Sequence, residues 1–458
     1  MSTLFYLNQY VTTTMAKVGG LNTTDTTGII FSSIAGIDTT HPGIALFSYS
    51  DPLDTSKCEW ISYTSINPST YELQGVVRGC EGFSAHNHDN GCAIAFPISK
   101  SHINDINDIL NGVNTIYPAS LARQALINGN FDVWQRGTSG TTFTDGVSMF
   151  VADRWYDSAD DDGGTKPTIT RSQQLLISGD ISNAFYYSRL AMDGAGTSLG
   201  VNSYHVYIQK VEHGVRNLCG LNKSVTVSFW ARSDIVNKRI CPTLRQNYGT
   251  GGSPSSAEVI KGTPITLTTS WVKYTATFTT NTLVGKTFGT DLNDYLGLFI
   301  YHEWGTTWGN TYVKTSVTAE TYGNGYIDIA QVQLCAGDVA LPFMPKNYDE
   351  ELKNCEKFYE KSYSLSVNPA TDTESGCISF VTPSTTLQIS IPYRTRKRSV
   401  TTPTIYTKAG VSGKIRDITA GSDVTPAGIV AGETGFIIYG SSTANHVYEF
   451  HYITESEL

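Results

Sequence analysis

Along most of the chain, apolar and polar positions alternate every second residue, the period of a strand with one covered face. Tyr204, Val206 and Ile208 follow this rule, as do Val225, Val227 and Phe229, and then Val272, Tyr274, Ala276 and Phe278. Gly, Ser and Asn turn signals separate these runs, and strands do not alternate regularly with helices. A parallel α/β layout is therefore disfavoured, and a sandwich or jelly roll is expected over residues 126–346. Residues 1–98 also read as β. Gly28-Ile-Ile-Phe-Ser-Ser and Gly43-Ile-Ala-Leu-Phe-Ser-Tyr are short strand candidates bounded by Asp, Thr and Pro. Residues 363–458 return to strands and end in His446-Val-Tyr-Glu-Phe-His-Tyr-Ile.

Two stretches break the period. In the first, Ile103, Ile106, Leu110, Val113 and Tyr117 are spaced three, four, three and four, a heptad seam. Two heptads do not hold an isolated coil together. Ile at both core positions of the first heptad favours three strands, and Ile109 and Ile116 widen the apolar face. Residues 99–125 are thus expected to form the coiled-coil neck and linker of a homotrimer. The competing reading is one helix packed on its own domain. The second stretch, residues 347–362, opens on acids and closes on lysines, as the helix dipole prefers. Leu352, Cys355 and Phe358/Tyr359 would line one apolar stripe of that linker helix. The expected fold is all-β and multi-domain: N-terminal module, neck, central sandwich, short helix and C-terminal β domain.

Composition sharpens this picture. Only 16% of the 458 residues are charged, whereas Gly (42) and Tyr (26) are abundant, which suits pleated surfaces joined by tight turns. A net charge of −9 disfavours nucleic acid as a partner, because phosphate neutralisation needs a basic face. The basic run Arg394-Thr-Arg-Lys-Arg398 follows Leu387, Ile389 and Ile391 and reads as a strand end with a solvated face. The eight cysteines form no Cys-x-x-Cys pair, so a zinc ribbon is unsupported and mostly buried thiols in a reducing cytoplasm are expected. The first residues do not read as a signal peptide, and no apolar run is long enough for membrane insertion.

Several segments carry a resemblance. Ile127-Asn-Gly-Asn-Phe-Asp-Val-Trp-Gln-Arg-Gly-Thr, Ala152-Asp-Arg-Trp-Tyr156, Ser228-Phe-Trp-Ala-Arg232 and Arg245-Gln-Asn-Tyr-Gly-Thr-Gly-Gly-Ser occur in this order. Ile265-Thr-Leu-Thr-Thr-Ser-Trp, Gly285-Lys-Thr-Phe-Gly-Thr, Asn293-Asp-Tyr-Leu and Ile329-Ala-Gln-Val-Gln-Leu-Cys-Ala-Gly continue the series. Together they resemble a carbohydrate-binding-module-like jelly roll that recurs in tail fibres, or receptor-binding proteins, and other virion proteins of tailed bacteriophages. Val77-Arg-Gly-Cys-Glu-Gly-Phe resembles a small phage-fibre module in which Thr is usual at the place of Phe83. The resemblance implies a homotrimer assembled in the host cytoplasm and carried in the virion. It also implies contact with other tail or baseplate proteins through residues 1–98, and an outward part that meets bacterial cell-surface polysaccharide. Residues 363–458 would form the tip. A tail-spike-type depolymerase and a purely structural decoration or collar fibre are the alternatives.

Sugar binding needs flat aromatic faces with few charges. Trp304 and Trp308 lie in Tyr301-His-Glu-Trp-Gly-Thr-Thr-Trp-Gly-Asn310, read as a loop, and Tyr248 lies in a Gly/Ser/Pro loop. These three are the carbohydrate candidates, against partial burial at a subunit contact. Trp134, Trp155 and Trp230 read as core. No enzyme motif is present, although a carboxylate pair such as Glu303 and Asp328 stays open, since sequence does not report distance. No cofactor is expected apart from an ion at one of two places. The turn from Asp157 to Asp162 could hold calcium through Asp160 and Asp162, against a solvated acidic turn. His86 and His88, repeated around a threefold axis, would supply six imidazoles to a transition metal, against two exposed loop histidines.

Overall fold

In the computed structural model the residues described are 12–16, 22–32, 43–47, 58–80, 84–88, 92–95, 123–140, 146–177 and 179–458. Backbone contacts divide the chain into two compact units, residues 1–116 and 117–458. The neck positions Ile103, Ile106, Leu110 and Val113 lie outside the described residues. Strands dominate, and no helix among the described residues is long and apolar enough to cross a membrane.

The first unit is built on a five-stranded antiparallel sheet in the order Thr12–Thr14, Ala93–Ala95, Gly43–Phe47, Glu59–Tyr63, Val77–Cys80. Phe31, Phe47, Ile61, Tyr63, Leu73 and Ile94 form its buried core. At its centre Glu59 is fully buried yet fully bonded: Arg78 donates to both carboxylate oxygens at 2.6 Å, and the Gly79 and His86 amides donate as well. Burial alone would raise the Glu59 pKa. The bonds from His88, Arg78 and the His86 amide outweigh it and hold it down to about 2.

The second unit contains a sandwich whose strands pass repeatedly between two antiparallel sheets. The front sheet runs Glu258–Ile260, Arg239–Asn247, Tyr295–Trp304, Tyr204–Glu212, Tyr156–Asp160, Met149–Phe150. The back sheet runs Val272–Thr279, Ser224–Ser233, Gly323–Ala336, Tyr186–Gly194, Ile169–Leu175, Ser139–Gly140. Val225, Val227 and Phe229 of the back sheet and Leu296, Leu298 and Ile300 of the front sheet are fully buried. Burying six such side chains contributes roughly 10 kcal/mol before chain entropy is set against it. Trp155 and Tyr207 stack at 5.0 Å within the same core, and Trp134 is also buried.

The segments that carry the sequence resemblance have a mechanical role here. Asn128 donates to the carbonyls of Val133 and Asp153, and Trp155 donates its ring N–H to Asn128. Gly129 is pressed so close to the Val332 carbonyl that a Cβ would meet that oxygen at 2.1 Å, so only glycine fits. Arg136 and Arg154 then reach out of these segments. Their guanidinium groups lie 3.7 Å from the Tyr359 ring centre and 3.5 Å from that of Phe358, and both pair with Glu457.

Those contacts clamp the last part of the chain to the sandwich. The helix Tyr348–Glu356 starts at the cap Asn347, whose side chain accepts from the Asp349 amide. It is shorter than its sequence pattern suggested: Tyr359–Lys361 is a strand paired with Val447–Glu455. Beyond it, strands pack around Leu387, Ile391, Ile405, Phe436, Tyr448 and Phe450. The basic run is a solvated face only in part: Arg394 and Arg396 are exposed, but the run also holds the chain together. Lys397 is buried and donates to Glu360 at 2.5 Å, Arg394 pairs with Glu356, and Arg398 holds the carbonyls of Ser456 and Glu457.

Candidate functional site

The outer face of the front sheet defines the site. Pleating sends alternate residues outward, and here the outward set is aromatic and aliphatic rather than polar. Cross-strand register aligns Tyr156, Ile208 and Phe299 in one row, and Ser158, Val206 and Tyr301 in the next. Tyr156, Val206, Ile208, Phe299 and Tyr301 form a buried floor. Tyr204, Lys210, Arg245, Tyr295, Trp308 and Tyr312 stand half-buried around it, enclosing an open groove of about 250 Å³.

One wall is a stack of three rings. Trp308 lies parallel to Tyr204, with centroids 4.0 Å apart and planes 12° from parallel, and packs on Tyr312 at 4.3 Å. The helical segment Thr306–Val313 beyond the strand Tyr295–Trp304 places Trp308 and Tyr312 there. The other wall is cationic. Lys210 and Arg245 lie in one row, each the direct cross-strand partner of Gly297 from opposite sides. Lys210 Nζ sits 4.9 Å from the Tyr295 ring centre and 5.5 Å from that of Tyr156, and donates to the Leu458 carbonyl at 2.7 Å. Burial, with Arg154 and Arg245 nearby, lowers its pKa to about 8. Burial raises the pKa of Tyr156, Tyr295 and Tyr301, so their hydroxyls stay protonated through the neutral range.

Of the three carbohydrate candidates read from sequence, only Trp308 lines this groove. Trp304 belongs to the strand, not to a loop. It is fully buried, donates to the Thr318 carbonyl at 3.0 Å, and offers no face to a ligand. Tyr248 is buried too: its ring packs edge-on against Phe288 and its hydroxyl donates to Glu258 at 2.5 Å. The groove aromatics Tyr156, Tyr204, Tyr295, Phe299, Tyr301 and Tyr312 were missed because strand aromatics read as core. The signal lay in Tyr295-Leu-Gly-Leu-Phe-Ile-Tyr301, where the two alternating faces are both apolar but only one is aromatic.

The ion candidates fare differently from their readings. Asp160 accepts from the Asp162 amide, Asp162 accepts from the Asn202 amide, and neighbouring Asp161 pairs with Lys166. These oxygens close a turn rather than converge on a cation. His88 is buried rather than an exposed loop residue, and its Nε2 lies 3.0 Å from Glu59 Oε2, beside the Arg78–Glu59 pair. Glu303 and Asp328 belong to different sheets, and Asp328 is gripped by Arg189 and Arg232, which does not suit an acid/base pair.

One buried cluster escaped sequence reading. Asp157, His205 and His302 bring ligand-type atoms within 4.8 Å of one another between the sheets. Arg171, however, donates to both Asp157 oxygens at 2.9 and 2.5 Å and lies 3.8 Å from the Tyr207 ring centre, so the carboxylate is already neutralised. Burial alone would raise the Asp157 pKa; Arg171 and the His205 bond reverse this. The cluster fits a structural ion pair better than a metal centre.

No family model matches the chain, and no curated protein matches it. Among solved structures it is similar to a tailspike protein 4 domain of Bacteriophage CBA120, at 12% identity and TM-score 0.24, covering 47% of this chain and 22% of that one. The chain thus spans about a fifth of that tailspike domain. It is also similar to a family 61 carbohydrate-binding module in complex with β-1,4-galactotriose, at 11% identity and TM-score 0.23, over 46% of this chain and 97% of that one. A Cellulomonas fimi cellulose-binding domain matches at 13% identity and TM-score 0.24, over 44% and 97%. At this distance the likenesses assign no residue or ligand to the chain.

Proposed function

We propose that the sandwich binds a glycan along the front-sheet groove, and that the chain is a tail-fibre or receptor-binding component of a bacteriophage virion that binds without cleaving. One observation carries the glycan reading: the outward face of a solvated sheet is floored and walled by aromatic rings. Such rings stack on pyranose faces, each contributing on the order of 1 kcal/mol. The virion reading rests on the ordered sequence segments, and the trimer on the Ile103/Ile106/Leu110/Val113 seam. Three weak sites on a trimer would gain through effective concentration. Replacing Ile106 with Asp should disperse that trimer in light scattering, because three charges would meet in an apolar seam.

The test is a pull-down on intact bacteria with reducing ends assayed in the same tube. The parent should bind and release no sugar, whereas Tyr204→Ala/Trp308→Ala should stay folded and lose binding. Unchanged binding by the variant would remove the groove from the account. Time-dependent release of oligosaccharide that survives re-purification would replace binding with depolymerisation.

A further inference from the structure

Resting on the glycan reading of the groove, we propose that its ligand is an anionic glycan whose acidic group is held between Lys210 and Arg245 while its rings lie against Tyr295 and Tyr204. The charge pattern is the first support. The chain carries 41 acidic against 32 basic residues, yet the groove is lined by two cations and no Asp or Glu. A groove shaped for neutral sugars needs acceptors for hydroxyl protons, which carboxylates supply and cations do not.

The second support is that Arg245 lacks a partner. Five other arginines drawn out of full solvent contact are matched with carboxylates, Arg78 with Glu59, Arg171 with Asp157, Arg189 and Arg232 with Asp328, and Arg239 with Glu320, while Arg398 is held by two carbonyls. No carboxylate among the described residues lies within ion-pair distance of Arg245, and its buried Nε meets no acceptor. A desolvated guanidinium N–H left unpaired is costly, and a bound carboxylate would satisfy it in fork geometry.

The third support is the row itself. Lys210 and Arg245 flank Gly297, so their backbones stand two strand spacings apart, roughly 10 Å, and both long side chains line the same groove. A Cβ on Gly297 would meet the Phe299 ring at 2.6 Å and the Tyr295 ring at 3.2 Å. Glycine lets those rings fold over the strand, giving an aromatic plate with a cation on either side. Burial chiefly, then the charges of Arg154 and Arg245, lowers the pKa of Lys210. Among the charged groups around it, Arg154 and Arg398 add to the repulsion and Glu457 opposes it.

Uronate carboxylates and glycan phosphates share this chemistry, and a titration separates them. Full-length protein is titrated calorimetrically with oligogalacturonate, a glycerol-phosphate teichoic fragment, and neutral cello- and galacto-oligosaccharides of equal length. An acidic ligand should bind about tenfold or more tighter than the neutral ones, and weaken steeply from about 0.05 to about 0.5 M salt. Arg245→Gln and Lys210→Gln should each cost about tenfold for that ligand and clearly less for the neutral ones, with partial rescue by Arg245→Lys. The better acidic ligand names the group. Neutral ligands bound as tightly, with no salt dependence and no effect of Arg245→Gln, would overturn the anionic assignment and keep the glycan groove. If no glycan binds and the groove proves to be covered by a second copy of the chain, both readings fall. The salt arm uses the parent protein, so a misfolded variant leaves the test intact.

Discussion

His302 shows how much one side chain can set the behaviour of this sandwich. The register between Tyr204–Glu212 and Tyr295–Trp304 pairs Val206 with Tyr301 but His205 with Glu303, which leaves His302 as a bulge residue without a cross-strand partner. Its ring is fully buried, T-shaped to His205 at 5.6 Å, and neither nitrogen meets a hydrogen-bond partner among the described residues. Burial first, then Arg171, His205 and Lys238, push its pKa well below 6.5. The unfolded chain therefore gains a proton below about pH 6.5 that the folded chain refuses, and stability falls on acidification through that range. Glu303 acts in the opposite sense. Burial raises its pKa from 4.5 to about 7, so the folded state keeps a proton that the unfolded state loses, and stability falls as pH rises from about 4.5 to about 7. Thermal melts between pH 5 and pH 8 should show a shallower acid decline for His302→Phe, with about 1 kcal/mol or more of added stability. An acid slope equal to the parent's would show that His302 does not govern it. None of this was readable in the sequence, because a bulge is a property of two strands in register.

At the scale of the element, the strand Tyr204–Glu212 separates folding from binding. Tyr207 points inward and stacks on Trp155 and, at 6.0 Å, on Phe131, while Tyr204 points outward to Trp308. Tyr207→Ala should cost roughly 3–5 kcal/mol in denaturant unfolding, as large aromatic deletions in cores do. Tyr204→Ala should cost about 1 kcal/mol and yet remove most glycan binding. Equal losses of stability would place both rings in the core and empty the groove of meaning. Period-two alternation located the strands of residues 204–212, 224–233 and 272–279, because a half-covered sheet writes its pleat into the sequence. Alternation does not say which covered face is the inside. Tyr204, Val206 and Ile208 read simply as the covered face of a strand and line the groove, while Tyr301-His-Glu-Trp304, read as loop from its Gly/Thr flank, is buried strand. The helix at 348 was legible from its charge order. Its stop after Glu356 was not, because the adjoining Tyr359–Lys361 strand is dictated by a partner about ninety residues later in the chain.

At the scale of the whole molecule, the sandwich and the C-terminal strands of residues 117–458 are joined through a small set of ionic and aromatic contacts. Arg136 bonds to Glu455 and Glu457 at 3.0 Å each, lies 3.7 Å from Asp153, and covers the Tyr359 ring. The segments that resemble the phage module thus serve two ends: Arg136 and Arg154 hold the sandwich to the C-terminal strands, while Tyr156, Arg245 and Tyr295 line the groove. Calorimetry of the parent should give one transition for this unit, and Arg136→Ala should split off an earlier one as the C-terminal strands melt separately. A single unshifted transition would mean that the clamp is not the contact that couples them. The central claim is that the front-sheet groove holds the glycan, and photo-crosslinking tests it most directly. A photoreactive oligosaccharide prepared from the surface polysaccharide of a bound bacterium would be irradiated with full-length protein and the labelled peptides mapped by mass spectrometry. The label should fall on residues 204–212 and 295–313, and excess unlabelled glycan should remove it. Specific label confined to residues 363–458 or to the first unit would contradict the account.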